Sequence, residues 1–325
     1  MKKILKICTW VLGAVLLLAG ILVAYLAFFL PNVGKAPDIK VDITPERVAR
    51  GQYLATHVAV CIDCHSTRDW HQYSGPIIPG TEGKGGEKFD PAFGFPGTFY
   101  SRNITPYKLA AWTDGEIFRA VTSGVSRDGS ALFPLMPYQH YGKVSREDIY
   151  NIIAYIRSLK PQTNEVPVSK PDFPVNLLMH LAPQKPTFVA TPPDTDTVQY
   201  GGYLVMMAGC AECHSKVNKG AVVAGTEFGG GREFQFPAGT VRAPNITLHS
   251  TGIAYLDKAA FIHRFKQYTD SSYHSPALTP KDFNTPMPWT MYAGMKESDL
   301  AAIYAYLSTI KPIDNKVAKF SPAQP

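Results

Sequence analysis

Apolar positions divide the chain into two regimes. Ile7–Leu30 is an unbroken apolar run of 24 residues without a charge. As a helix it extends about 36 Å, enough to cross a hydrocarbon core of about 30 Å. Beyond it the pattern becomes amphipathic. Thr44-Pro45-Glu46 opens a helix, with Thr as N-cap and Pro at the first helical position, and Val48, Tyr53 and Leu54 anchor it towards Val58. Trp112–Thr122 predicts a second helix, with Asp114 and Glu116 in its first turn, where the helix dipole favours acids. Ser145 caps a third, whose apolar stripe is Ile149, Ile152, Ile153 and Ile156 and which Lys160-Pro161 ends. A last helix begins near Glu297. Ser66–Arg102, rich in Gly, Pro and lone aromatics, shows no period and predicts a long loop.

The pattern also repeats. Tyr53-Leu54 recurs as Tyr203-Leu204, and Gly80-Thr81-Glu82 as Gly225-Thr226-Glu227. Asn103-Ile104-Thr105 recurs as Asn245-Ile246-Thr247, and Ala154-Tyr155-Ile156 as Ala305-Tyr306-Leu307. Trp112, Asp114 and Phe118 correspond to Tyr255, Asp257 and Phe261. Self-similarity over this span predicts two copies of one domain. The division is an anchor at 1–30, a tether at 31–43, a first domain at 44–160, a linker or strap at 161–199, a second domain at 200–311 and a tail at 312–325. The strap holds eight prolines, and its middle, Phe173–Leu181, is apolar enough to pack. Asn-Ile-Thr is formally a glycosylation sequon, but its recurrence fits a structural turn.

Composition changes this picture in three ways. The 26 Gly and 27 Pro imply much irregular chain, so something other than long helices must fill the core. The net charge of +6 owes half to Lys2, Lys3 and Lys6, which precede the apolar run and predict a cytoplasmic N-terminus with the rest exported. No small-x-small cleavage site stands near Phe28-Phe29-Leu30, so the run reads as a retained anchor rather than a signal peptide. No basic block or stripe suggests a nucleic-acid partner.

The cysteines carry the chemistry. Four of the five lie in Cys61-Ile62-Asp63-Cys64-His65 and Cys210-Ala211-Glu212-Cys213-His214; Cys8 belongs to the apolar run. Cys-x-x-Cys-His is the attachment pattern of haem c: two thiols one turn apart add to the haem vinyls, and the His ligates iron from one face. The pairs are too far apart in sequence for an ordinary zinc site, and the βαβ context of a thioredoxin-like motif is missing. Two covalent haem c groups are the expected cofactors, and they supply the missing core.

Each iron then needs a distal ligand. Met136 lies in Leu135-Met136-Pro137-Tyr138 and Met287 in Pro286-Met287-Pro288-Trp289, 71 residues after His65 and 73 after His214. A thioether favours ferrous iron, and the adjacent Pro restricts where the sulfur points. His140 rivals Met136, and Met291 and Met295 rival Met287; His57, Met206 and Met207 read as packing beside the proximal turns. A carbonyl near position 75 is a candidate to orient His65, in which case the Pro76 to Ala221 change predicts a looser His214.

Asn103-Ile104-Thr105-Pro106, Trp112-Thr113-Asp114, Gly124-Val125, Asp128-Gly129, Pro134-Leu135-Met136-Pro137-Tyr138 and Ala154-Tyr155-Ile156-Arg157-Ser158-Leu159 resemble the membrane-associated multihaem cytochrome c subunits of bacterial periplasmic alcohol, aldehyde, gluconate and nicotinate dehydrogenases. The second half is similar but more diverged. The resemblance implies a mainly α fold of two tandem class I cytochrome c domains with long haem-wrapping loops, His65 and Met136 on one iron, and His214 and Met287 on the other. It also implies a strap that packs. The best-known members carry three haem sites where this chain has two. The expected function is a membrane-anchored dihaem carrier in the bacterial inner membrane with its haem domains in the periplasm. It would pass electrons between a dehydrogenase or other donor and a downstream cytochrome or terminal oxidase. The alternative, a dihaem enzyme such as a peroxidase or thiosulfate dehydrogenase, needs one iron with an exchangeable position.

Overall fold

The computed structural model describes residues 1–323. Helix α1 (Lys2–Phe28) is a single apolar rod whose one buried residue is Leu26; Cys8 lies on its exposed surface. Helix α2 (Pro45–Tyr53) starts as its cap predicts, with Arg47 N donating to Thr44 Oγ1 at 3.3 Å. The sequence suggests α2 continuing to Val58; instead residues 54–58 widen into one π turn. The turn α3 (Cys61–Cys64) follows, then α4 (Pro106–Leu109), α5 (Asp114–Ser123), α6 (Tyr138–Tyr141) and α7 (Arg146–Ser158). Thr113 and Glu116 close a reciprocal capping box on α5, and Ser145 caps α7. The remaining helices are α8 (Val175–Leu178), α9 (Thr197–Met207), α10 (Cys210–Cys213), α11 (Lys258–Lys266), α12 (Trp289–Tyr292) and α13 (Glu297–Leu307).

Strands were not foreseen, yet three small antiparallel sheets brace the loops. β1 (Lys88–Phe89), β2 (Gly97–Tyr100) and β3 (Lys170–Pro171) form one sheet, which lies inside the predicted loop and recruits the strap. β4 (Val217–Asn218) pairs with β5 (Ala221–Val222). β6 (Glu233–Phe236) and β7 (Gly239–Arg242) pair, and β8 (Phe320–Pro322) joins them from the tail. These strands satisfy backbone groups that a buried loop would strand.

Two helix pairs hold the core, α2 on α7 and α9 on α13. Each crossing depends on a glycine. A Cβ on Gly51 would sit 1.8 Å from Asn151 O, and one on Gly201 1.9 Å from Ala302 O. The bare backbone therefore lets each pair approach more closely than any other residue allows. Ile149, Ile152, Ile153 and Ile156 are buried along α7, and Leu300, Ile303 and Leu307 along α13. Each such side chain contributes about 1.5–3 kcal/mol on burial.

The π turn packs on α12, and α6 on α9, so each half presents its proximal helix to the other. The contact is reciprocal. Tyr53 Oη donates to Asp299 Oδ2 at 2.5 Å and accepts from Lys296 N at 3.1 Å. Tyr203 Oη donates to Asp148 Oδ2 at 2.6 Å and accepts from Ser145 N at 3.1 Å. Residues 31–43 do not hang as a free tether. Val41 is buried and its N–H donates to Asp114 Oδ2 at 2.8 Å, while Pro37 O lies 1.7 Å from where a Cβ on Gly115 would stand. The strap packs as well: α8 and the turn 179–181 rest against α1.

Candidate functional site

Each Cys-x-x-Cys-His run makes one tight helical turn entered from a left-handed residue, Val60 (φ 46°) before α3 and Gly209 (φ 65°) before α10. The turn places both thiols of a pair side by side and ends on the His, whose N–H bonds back to the first Cys carbonyl at 2.9 Å in each copy. His65 Nδ1 pairs with Arg102 O at 2.7 Å, and His214 Nδ1 with Pro244 O at 2.8 Å. A carbonyl accepts, so Nδ1 carries the proton and Nε2 keeps its lone pair for a metal. Burial holds both histidines below their ordinary pKa, in the neutral form that ligates. The orienting carbonyl is thus not near position 75. Gly75 O instead accepts from Arg68 Nε at 2.8 Å, and the Pro76 to Ala221 change does not bear on how His214 is held.

The turn is fastened to its loop in the same way twice. Ser66 Oγ donates to Ile62 O at 2.5 Å and accepts from Gly83 N at 3.2 Å. Ser215 Oγ donates to Ala211 O at 2.5 Å and accepts from Phe228 N at 3.2 Å. The loops that carry the orienting carbonyls are fixed by the Asn-Ile-Thr turns. Asn103 Oδ1 accepts from Thr105 N and Oγ1, while its Nδ2 reaches Gln162 O at 2.7 Å. Asn245 does the same with Thr247 and with Ile313 O at 2.7 Å. These side chains are spent on the backbone.

Met136 and Met287 are both half-buried and packed on the apolar core. Their loops are tied to the proximal turns by tyrosines that sequence reasoning missed. Tyr141 Oη donates to Ala59 O at 2.9 Å, and Tyr292 Oη to Ala208 O at 3.0 Å. Each tyrosine lies five residues after its Met, a recurrence that could have revealed them. The rival ligands are engaged elsewhere. His140 Nε2 meets Glu212 Oε1 at 3.0 Å across the halves, and His57 Nδ1 pairs with Met291 O at 2.8 Å. Met207, Met291 and Met295 are buried in the core.

The donor chemistry suits haem c. Burial pushes the thiols of Cys61, Cys64 and Cys210 up to about 12, and that of Cys213 up as well, the reverse of a thioredoxin-type thiolate. Among the described residues, no three His, Cys, Asp or Glu side chains cluster as a metal site.

Comparison with known proteins bears on the same region. Residues 198–311 match the family model described as cytochrome c. This stretch is similar to a cytochrome c domain. Such a domain implies covalent haem c and a role in electron transfer. The chain is 30% identical over 188 residues to the cytochrome c subunit of an alcohol dehydrogenase (quinone) from Gluconacetobacter polyoxogenes, covering 54% of this chain and 37% of that protein. It is 29% identical over 256 residues to the fructose dehydrogenase cytochrome subunit of Gluconobacter japonicus, covering 72% and 45% respectively. A diheme cytochrome c-type protein of Cereibacter sphaeroides is 27% identical over 191 residues, 56% of this chain and 61% of that protein. The matches thus span less than two thirds of each relative.

Proposed function

We propose that the protein is a membrane-anchored dihaem cytochrome c that relays single electrons from a periplasmic or membrane dehydrogenase to a downstream cytochrome or oxidase. One observation carries the reading: the same donor set is built twice. In each half a Cys-x-x-Cys-His turn, a His whose Nδ1 is committed to a carbonyl, and a Met-Pro loop fastened by a tyrosine stand in the same relation. Cys61, Cys64, His65 and Met136 would hold one haem, and Cys210, Cys213, His214 and Met287 the other. Bound haem supplies a reversible one-electron couple. The chain contributes the neutral imidazole and the thioether. A Met on each iron leaves no exchangeable position, which favours a carrier over a peroxidase or thiosulfate dehydrogenase. Helix α1, of mean hydropathy 2.7 over its most apolar window, supports anchoring in the inner membrane with both haems in the periplasm. The dehydrogenase partner is suggested by the names of the relatives.

The test is the intact mass of the membrane-extracted protein, with acid-acetone extraction alongside. Two non-extractable haems and an N-terminus that still includes α1 are expected. A single haem, or rapid cyanide binding by the wild-type ferric protein, would refute the proposed carrier.

A further inference from the structure

The two Met loops differ in what holds them. Met136 O accepts from Tyr138 N, within its own turn, at 2.8 Å. Met287 O accepts the equivalent bond from Trp289 N at 2.9 Å, and a second one from the other half of the molecule. Ser74 Oγ donates to Met287 O at 2.5 Å and accepts from Trp289 N at 3.1 Å, so one hydroxyl grips the backbone on both sides of Pro288. Ser74 N donates to Asn284 Oδ1 at 2.8 Å, and Asn284 Nδ2 reaches Trp70 O and Gln72 O, each at 3.3 Å. Tyr73 N bonds Pro276 O at 2.9 Å, and Leu278 N bonds His71 O at 2.7 Å. Residues 70–75 of the first half are thus stitched along the segment that delivers Met287.

Ser74 sits in this position at a conformational cost. Its φ is +70°, a region that non-glycine residues seldom occupy, and it is 1% exposed. Arg68 pins the strained turn from the first haem-binding motif. Its guanidinium donates to Ser74 O and Gly75 O at 2.8 Å each and pairs with Asp63 Oδ2 at 3.0 Å, with both charged side chains 5% exposed. An unbroken polar chain therefore runs from the Cys61–His65 motif through Arg68 and Ser74 to the Met287 backbone. Local turn requirements do not explain a strained, buried serine whose hydroxyl bonds both flanks of a Met-Pro step in the other half; holding that step does.

We infer that Ser74 is a positioning residue for the second haem: the first half of the chain completes the distal side of the iron that the second half attaches. The inference rests on Met287 being that iron's ligand. Each half would then be unequal in autonomy. The Met136 carbonyl is bonded within its own turn, whereas the Met287 carbonyl also takes a hydroxyl from outside its half.

Ser74→Gly tests this cleanly. Glycine adopts φ +70° without strain and removes only the hydroxymethyl group, so fold and haem content should persist. The ferric holoprotein in detergent would be titrated with cyanide, with the sulfur-to-iron charge-transfer band recorded in parallel. Met287→Ala identifies which haem responds. Loss of a net hydrogen bond should raise cyanide affinity about fivefold at the haem opened by Met287→Ala and leave the other unchanged. Wild-type titration by Ser74→Gly, or a change at the other haem, would overturn the inference while leaving Met ligation intact. If Met287→Ala itself leaves the band undiminished, the ligation reading fails, and the positioning role goes with it.

Discussion

Removing one tyrosine hydroxyl at a time tests the reciprocal contact between the halves, and the structure predicts unequal costs. Asp148 and Asp299 are each 4% exposed, so each carboxylate depends on its partners. Tyr203→Phe leaves Asp148 with Arg50, whose Nε and Nη2 stand 3.1 and 3.4 Å from it, and with Thr191 Oγ1 at 3.3 Å. Tyr53→Phe leaves Asp299, among the described residues, with Ser298 Oγ at 3.3 Å. A hydrogen bond to a charged group contributes about 1.5–3 kcal/mol net. Tyr203→Phe should fall at the low end, about 1.5 kcal/mol, and Tyr53→Phe at the high end, about 3 kcal/mol. At roughly 2–4 °C per kcal/mol for a chain of this class, the expected losses in Tm are about 3–6 °C and 6–12 °C. Far-UV circular dichroism of the holoprotein in detergent provides the assay. Because most of the larger cost is an unpaired buried charge, Asp299→Asn should recover part of the loss when added to Tyr53→Phe. Equal losses, a larger loss for Tyr203→Phe, or no recovery in the double variant would refute this account.

Three further outcomes are expected. Gly201→Ala should cost about 3 kcal/mol by forcing α9 off Ala302 O, while Gly20→Ala on the open face of α1, where a Cβ meets nothing within 4 Å, should leave Tm unchanged. Met136→Ala should halve the sulfur-to-iron band, lower the potential of one haem and open that iron to cyanide; a full band in the variant would exclude Met136 as ligand. Burial holds the phenols of Tyr53, Tyr141, Tyr203 and Tyr292 above the ordinary tyrosine range. They bind their protons more tightly folded than unfolded, so their contribution to stability should be constant below about pH 10 and fall as the pH rises above it, as denaturant titrations at a series of alkaline pH values would show.

What the sequence showed and what it hid separate by range. The caps at Thr44 and Ser145 act over three residues, so their chemistry was readable in place. The Cys-x-x-Cys-His turns were equally local. The carbonyl facing His65 comes from Arg102, 37 residues on, and a guess at position 75 chose a group that Arg68 already occupies. Strands β3 and β8 are two and three residues long and exist because distant partners offer an edge, so no period announced them. Tyr53 and Tyr203 were legible as marks of a repeat. That each would bond the other copy's acid was not, because a repeat pattern aligns equivalent positions without saying which copies touch.

The docked segment between α1 and α2 has a consequence for how this molecule meets others. Thirteen flexible residues would let an attached body wander about 20 Å from its anchor point, like a float on a short line. Here Val41 is bonded to Asp114, Pro37 lies against Gly115, and α1 rests on α8. Were α1 to lie in the bilayer as proposed, the body that follows it would not swing out to collect a partner or turn a different side to the lipid. Its distance above the membrane and the face it shows would be fixed, and encounter would become a matter of lateral travel. A donor would then have to present its redox centre at one height and one bearing, and lengthening residues 31–43 with glycine and serine would exchange that fixed alignment for reach.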